Sequence, residues 1–216
     1  MSSINNNKHK LTINLLLKWK THLDVRKGTK KAPFYVFGKQ KTKHIINLNY
    51  TILNMRQAFF FIINIMGAFK SILVVSDSYF LDDYFRRNKF SGMYSILSKD
   101  WVPGLLSNFS GGFPIFVENV SKYRGKTPLL FKIPDVLFLL NPEKNQSILN
   151  EAYLLGIPVI GIVNSNCTKQ VLKKLTYVIP GNNRSLQSAF FFVTFLSKAV
   201  FFGRLKRLNS ILSYKR

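Results

Sequence analysis

Val136-Leu137-Phe138-Leu139-Leu140 is followed by Asn141-Pro142, a stretch of helical character ending at Leu155-Gly156, and then Pro158-Val159-Ile160-Gly161-Ile162-Val163. This segment decides the fold class. Neither apolar run alternates with polar residues, so neither strand has a wet face. Strands of that kind lie in a parallel sheet covered by helices on both sides. Asn141-Pro142 suits a helix start, because the N–H that proline lacks is unpaired in the first turn anyway. Gly156 suits a helix stop, because glycine enters the left-handed conformation without a steric penalty. Strand, helix and strand at this spacing form one βαβ unit.

Working outward, Ser71 to Val75 is a second kind of buried run, β-branched and fully apolar, and Met93 to Leu97 reads as a further strand. Asn49 to Met66 has helical length, with Asn49 as N-cap. Asp77 to Asn88 and Asn183 to Gly203 also read as helices. Near the start, Leu11 to Leu23 reads as a basic, partly amphipathic helix. Phe34 to Phe37 and His44 to Leu48 read as short strands separated by a Gly38-Lys39-Gln40-Lys41 turn. Tyr35 and Phe37 alternate with Val36, so one face of that run is expected to be buried. Ser110 to Ile133, rich in Gly, Pro and Lys, reads as a loop or insertion. The expected fold is α/β: a three-layer, Rossmann- or flavodoxin-like parallel sheet with helices on both faces and a basic N-terminal extension. The expected division is a basic helix and loop over 1–33, the α/β domain over 34–204, and a basic C-terminal tail over 205–216.

Charge narrows the function. The 216 residues carry 32 Lys and Arg against 9 Asp and Glu, a net charge of +23. Self-repulsion on that scale calls for a polyanion. Nucleic acid is the first candidate, because phosphates bind Lys and Arg with release of counterions. An anionic membrane surface is the second. Through residue 43 there are eleven Lys or Arg and one acid, Asp24; after Glu151 there are ten Lys or Arg and no acid. Basic ends around a balanced centre suggest a folded body that grips RNA with both ends.

Other classes find little support. The single cysteine, Cys167, permits no internal disulfide and fits a reducing compartment. His9, His22 and His44 are far apart in sequence, and no metal site is expected. The apolar stretches Ala58 to Phe69 and Ala189 to Phe202 fall short of the roughly 20 residues of a membrane span, and are expected to be buried helices. The residues after the strands (Ser76-Asp77-Ser78, Asn141-Pro142-Glu143-Lys144 and Asn164-Ser165-Asn166-Cys167-Thr168) contain no glycine-rich phosphate loop. Asp77 and Glu143 are either an acid–base pair or helix caps, and capping is the commoner use. Cys167 has no histidine beside it. The abundance of Phe (20 residues), Ile and Asn points to an AT-rich coding genome. The N-terminus shows neither an apolar signal core nor an Arg-rich presequence, so an organellar protein of this kind is expected to be made in the organelle.

Several blocks then stand in order. They are Tyr35-Val36-Phe37-Gly38, His44-Ile45-Ile46-Asn47-Leu48, Trp101-Val102-Pro103-Gly104-Leu105-Leu106-Ser107-Asn108-Phe109 and Pro134-Asp135-Val136-Leu137-Phe138. Glu151-Ala152, Leu155-Gly156-Ile157-Pro158-Val159, Ile162-Val163-Asn164-Ser165-Asn166-Cys167 and Ile179-Pro180-Gly181-Asn182-Asn183 follow, with Gly203-Arg204 last. Over about residues 22 to 204 they resemble the second protein of the small ribosomal subunit, a family of bacteria, organelles, archaea and eukaryotes. Two departures stand out. Asp24-Val25 replace the family's Gly-His pair after His22-Leu23. The segment 110–133 is too short for the long coiled-coil hairpin of bacterial members.

The resemblance implies a structural constituent of the small subunit, not an enzyme and without a cofactor. Its implied partners are small-subunit rRNA and neighbouring ribosomal proteins, with no membrane and no small-molecule substrate. The implied location is the mitochondrial matrix, in the mitoribosome, or else a plastid or bacterial cytoplasm. The expected RNA-binding set is Lys18, Lys20, His22, Arg26, Lys27, Lys30, Lys31, Lys39, Lys41, Lys43, Trp101, Asn108, Phe109, Lys206 and Arg207. The cations would meet successive phosphates. Trp101 or Phe109 would stack on an unpaired base, with core packing the alternative for Trp101. Lys206 and Arg207 are expected beyond the last helix. The rival readings are a nucleotide- or sugar-phosphate-binding α/β enzyme and a basic peripheral membrane protein.

Overall fold

The computed structural model describes residues 12–24, 35–41, 43–88, 92–108 and 133–214. In chain order the elements are α1 (Ile13–Lys18), β1 (Val36–Gln40), β2 (Lys43–Ile46), α2 (Leu48–Gly67), β3 (Ile72–Ser76), α3 (Tyr79–Asn88) and β4 (Met93–Leu97). They continue with β5 (Val136–Leu139), α4 (Gln146–Leu154), β6 (Val159–Val163), α5 (Lys169–Lys174), β7 (Tyr177–Pro180) and α6 (Leu186–Tyr214). Among the described residues, β3 to β7 form one parallel sheet in the order β4-β3-β5-β6-β7. This is the flavodoxin-like strand order, with the direction of winding reversing between β3 and β5.

Burial along the strands follows from that order. Every residue of β3, β5 and β6 is buried, as the unbroken apolar runs require, while β4 and β7 at the edges are only partly covered. Successive side chains point to opposite faces. Ile72, Val74, Val136, Phe138, Ile160 and Ile162 join one core with α2, α3 and α6. Leu73, Val75, Leu137, Leu139, Val159 and Val163 join a second core with α4, α5 and the Trp101–Leu106 loop. The three layers expected from the sequence are present.

Several element boundaries differ from the sequence reading, each for a local reason. The N-cap of α2 is Asn47, whose side chain accepts from the Asn49 amide at 3.1 Å, and Asn49 lies in the first turn. Residues 142–144 form a turn and α4 begins at Gln146, because Asn145 Nδ2 bonds back to the Asn141 carbonyl at 2.9 Å. Helix α1 ends at Lys18, and Lys20 turns the chain with a φ of 52°. The hairpin reverses at Lys41 (φ 53°), later than Gly38, so Gly38 lies within β1. Helix α5 and strand β7 escaped the sequence reading, because Lys169–Lys174 is short and polar and β7 ends on a proline.

The largest difference is in α6. It does not stop at Gly203 but continues to Tyr214, so Lys206 and Arg207 are helical. Gly203 is there for close approach. A Cβ at this position would lie 2.5 Å from Met66 Cβ and 2.9 Å from the Ile63 carbonyl of α2. The two helices run alongside each other, with Phe59 against Phe195 and Phe202. Leu186–Ser213 is long and apolar enough to cross a membrane by length and composition, yet over half of its most apolar window is buried in this body. The segment 110–133 lies outside the described residues except for Ile133.

Replacing Gly203 with Ala would force α2 and α6 apart. The expected loss is about 1–3 kcal/mol, as for other overpacked contacts, or roughly 3–9 °C in melting temperature for a chain of this size. Thermal unfolding of the full chain measures it, and an unchanged midpoint would show that the helices do not meet at this glycine.

Candidate nucleic-acid interface

In an open parallel sheet the crevice at the carboxyl ends of the strands, beside the switch point, is where a ligand is expected. Here that crevice is an open pocket of about 630 Å³, lined by Asp77, Asn141, Glu143, Lys144, Asn183 and Arg184 among others, and its polar side chains are bonded to one another. The Asp77 carboxylate, after β3, accepts from Ser98 Oγ at 2.7 Å, Asn141 Nδ2 at 3.2 Å and Asn145 Nδ2 at 3.3 Å, and pairs with Lys144 at 3.3 Å. Asn183 Nδ2 donates to the Ile162 carbonyl at 3.1 Å, and Asn183 Oδ1 accepts from Asn164 Nδ2 at 3.1 Å. Asn182 Oδ1 accepts from the amides of Arg184 and Ser185 ahead of α6. Asp77 is therefore a tie between strand ends.

Two further groups that could suggest catalysis are also structural. Burial, with Glu143 nearby, pushes the Cys167 thiol up to about 12, so it is protonated at neutral pH and is a poor nucleophile. Asp24, His44 and Ser165 are all buried and bonded to one another. Ser165 Oγ donates to Asp24 Oδ2, the Ser165 amide donates to the same oxygen at 3.2 Å, and His44 Nδ1 lies 2.9 Å from Ser165 Oγ. The serine sits between acid and imidazole. In a nucleophilic triad the imidazole stands between the other two and takes the serine's proton. Here that proton goes to Asp24, and the network clamps the N-terminal segment onto the end of β6.

That clamp builds the basic surface. Residues 22–24 add to the hairpin: the Ile46 amide donates to the His22 carbonyl at 2.8 Å and the Asp24 amide to the His44 carbonyl at 3.0 Å. The Asn182 amide donates to the Thr21 carbonyl at 2.9 Å, fixing the turn after α1 to the loop before α6. Lys18, Lys20, Lys39, Lys41 and Lys43 are all exposed on this one assembly. His22 lies among them, half-buried, and burial lowers its pKa, so the ring is neutral at pH 7. Asp24, standing where the family has glycine, points inward to Ser165 and leaves no negative charge on this surface. Arg26, Lys27, Lys30, Lys31 and Phe109 lie outside the described residues.

The remaining members of the expected set lie elsewhere. Trp101 is buried, at 8% exposure, so the structure gives it the core alternative and not the stacking one. Its Nε1 donates to Glu151 Oε1 at 3.3 Å. The same carboxylate accepts from the amides of Gly104 at 2.8 Å and Leu106 at 3.1 Å. Glu151 on α4 thus folds the whole Trp101–Asn108 loop, and Gly104 takes the positive φ (89°) that the loop needs. Asn108 is exposed at the end of it. Lys206 Nζ bonds Asn64 Oδ1 at 2.8 Å, and the Arg207 guanidinium lies 4.1 Å over the Phe69 ring. Both sit beside the end of α2, which leads into the amino end of β3. The hairpin cations, by contrast, are docked at the carboxyl end of β6. The described Lys and Arg of the expected set therefore fall at opposite ends of the strands.

Comparison with known proteins agrees with this architecture. Residues 16–111 and 116–203 match the model of the family described as ribosomal protein S2. The chain is 28% identical over 180 residues to small ribosomal subunit protein uS2m of Acanthamoeba castellanii, covering 81% of this chain and 52% of that protein. It is 26% identical to small ribosomal subunit protein uS2 of Petrotoga mobilis, covering 86% and 74%. It is 25% identical to the uS2 protein of Malacoplasma penetrans, covering 88% and 61%. The chain thus spans about half the length of the Acanthamoeba relative.

Replacing Glu151 with Ala would leave the Trp101 indole N–H and two backbone amides without an acceptor. Such losses cost about 2–3 kcal/mol when the acceptor is charged. Denaturant unfolding followed by tryptophan emission should show an earlier midpoint; a midpoint matching the wild type would contradict the role given to Glu151. Cys167 in the native protein should react with iodoacetamide at pH 8 far more slowly than in denaturant, and equal rates would show the thiol to be accessible and ionisable.

Proposed function

The chain belongs to the ribosomal protein S2 family, and we propose that it is a structural constituent of the small ribosomal subunit. It binds small-subunit rRNA and neighbouring ribosomal proteins and supports translation without being an enzyme. The observation that carries this reading is the match of the family model to both halves of the chain, across the hairpin and the whole parallel sheet. The net charge of +23 supports RNA as the main partner.

The hairpin surface is the leading RNA contact in this proposal. Lys18, Lys20, Lys39, Lys41 and Lys43 supply phosphate contacts, which position the protein without reading sequence. Arg26, Lys27, Lys30 and Lys31, between the two described parts of this assembly, extend the same charge in sequence. Lys206 and Arg207 would contact a separate segment of RNA from the other end of the strands. The proposed location is the mitochondrial ribosome. That reading is supported by the match to uS2m and by a composition weighted toward Phe, Ile and Asn.

Two measurements test the proposal. The protein should co-sediment with small-subunit particles from its own cell at low salt, and its recovery free of particles would sink the assignment. Binding to small-subunit rRNA should weaken steeply with salt. Reversing Lys39, Lys41 and Lys43 to Glu should flatten the slope of log K against log salt by about 2–3, close to one unit per lost phosphate contact. The same holds for Lys27, Lys30 and Lys31. An unchanged slope would remove the altered cluster from the interface.

A further inference from the structure

The register of the hairpin contains one residue too many. Val36 pairs with Ile46 and Gly38 with Ile45, followed by Lys39 with His44 and Gln40 with Lys43. Phe37 is the extra residue, unmatched on β2. A bulge of this kind re-aims a side chain. It does so here: Phe37 is 78% exposed, the highest value among the described large aromatic side chains, while Ile46 across the ladder is at 2%. The sequence alternation leaves open which face of this run is buried; Phe37 is on the exposed one.

Gly38 adds a second feature. It has no positive φ, and a Cβ built there would meet nothing within 4 Å. Gly38 stands beside the bulge, where a strand glycine is common, and it leaves open space there. A glycine inside a strand with open space beside it suits close approach by another molecule. Around this open patch stand Lys39, Lys41 and Lys43, all exposed. The nearest acid among the described parts of this assembly, Asp24, is buried and bonded to Ser165.

We propose that Phe37 is a stacking platform for an unpaired RNA base, with Gly38 leaving room for the nucleotide and Lys39, Lys41 and Lys43 holding adjacent phosphates. This rests on the RNA-binding reading and adds to it a preference for single-stranded RNA at one point. An aromatic ring within a cluster of cations is the arrangement that binds splayed bases. A protein neighbour would call for a contiguous apolar patch with fewer charges, whereas three of the exposed residues of this hairpin besides Phe37 are Lys39, Lys41 and Lys43.

The test uses the full chain and two probes at one low salt concentration: a short unstructured RNA oligonucleotide and a blunt RNA duplex of equal length. Phe37→Ala should weaken the oligonucleotide roughly tenfold, a typical loss for one stacked base, and the duplex by less than about twofold. Phe37→Leu should behave like Phe37→Ala, since it keeps apolar area but loses the π face. Phe37→Trp should restore affinity, and its added emission should be quenched by the oligonucleotide. Gly38→Val should weaken the oligonucleotide while leaving the melting temperature unchanged. Equal affinity of wild type and Phe37→Ala for the oligonucleotide overturns the stacking role and leaves Phe37 to a protein neighbour, with the RNA reading intact. Equal losses for both probes also overturn it. If the wild type binds neither probe, the RNA-binding reading falls together with the platform.

Discussion

Three strands without an exposed residue, β3, β5 and β6, constrain everything else in this molecule. A parallel sheet buried on both faces must carry helices on both faces, so neither face of the sheet can meet a partner. Partners are left the helix surfaces, the two edges where strands begin and end, and whatever is appended there. The carboxyl edge would ordinarily be the binding site. In this chain it is an open pocket walled in part by Asp77, Asn141 and Asn183, which with Asn145 and Asn164 bond to one another and to strand ends. Those same bonds satisfy polar groups that would be costly to bury unpaired.

The N-terminal hairpin is fixed to that edge by the buried Asp24–Ser165–His44 network and by the Thr21–Asn182 bond. The acid that replaces a family glycine is thus used for docking. Its consequence for function is electrostatic: Asp24 is turned away from the lysines, and the surface that remains is cationic. A structural departure from the family and the positive patch are two sides of one arrangement.

The sheet was legible in the sequence because its strands are continuous apolar runs whose only home is a covered parallel sheet. Met93–Leu97 appeared with the bounds read from it, Val136 opens its strand where expected, and β6 begins one residue after the expected Pro158. What escaped the reading did so for physical reasons. Gly203 looked like a helix stop, but its missing Cβ serves the crossing of α2, a contact between residues far apart in sequence. Trp101 could have been core or platform, and only the carboxylate of Glu151 on another helix decides it. The exposure of Phe37 could not be read off, because alternation does not say which face is buried and a single bulge shifts the phase. The cations could be identified one by one, yet their division between opposite ends of the strands depends on topology that local sequence does not carry.

The central claim is that the hairpin and the turn after α1 form the RNA-binding face and that the pocket at the strand ends does not. Ultraviolet crosslinking of the protein within isolated small subunits, read out by mass spectrometry, tests it most directly. The account predicts RNA adducts on peptides spanning Lys18–His22 and Phe37–Lys43, and none on those carrying Asn141 or Asn183. Adducts concentrated on the crevice peptides, with the hairpin unmodified, would contradict it.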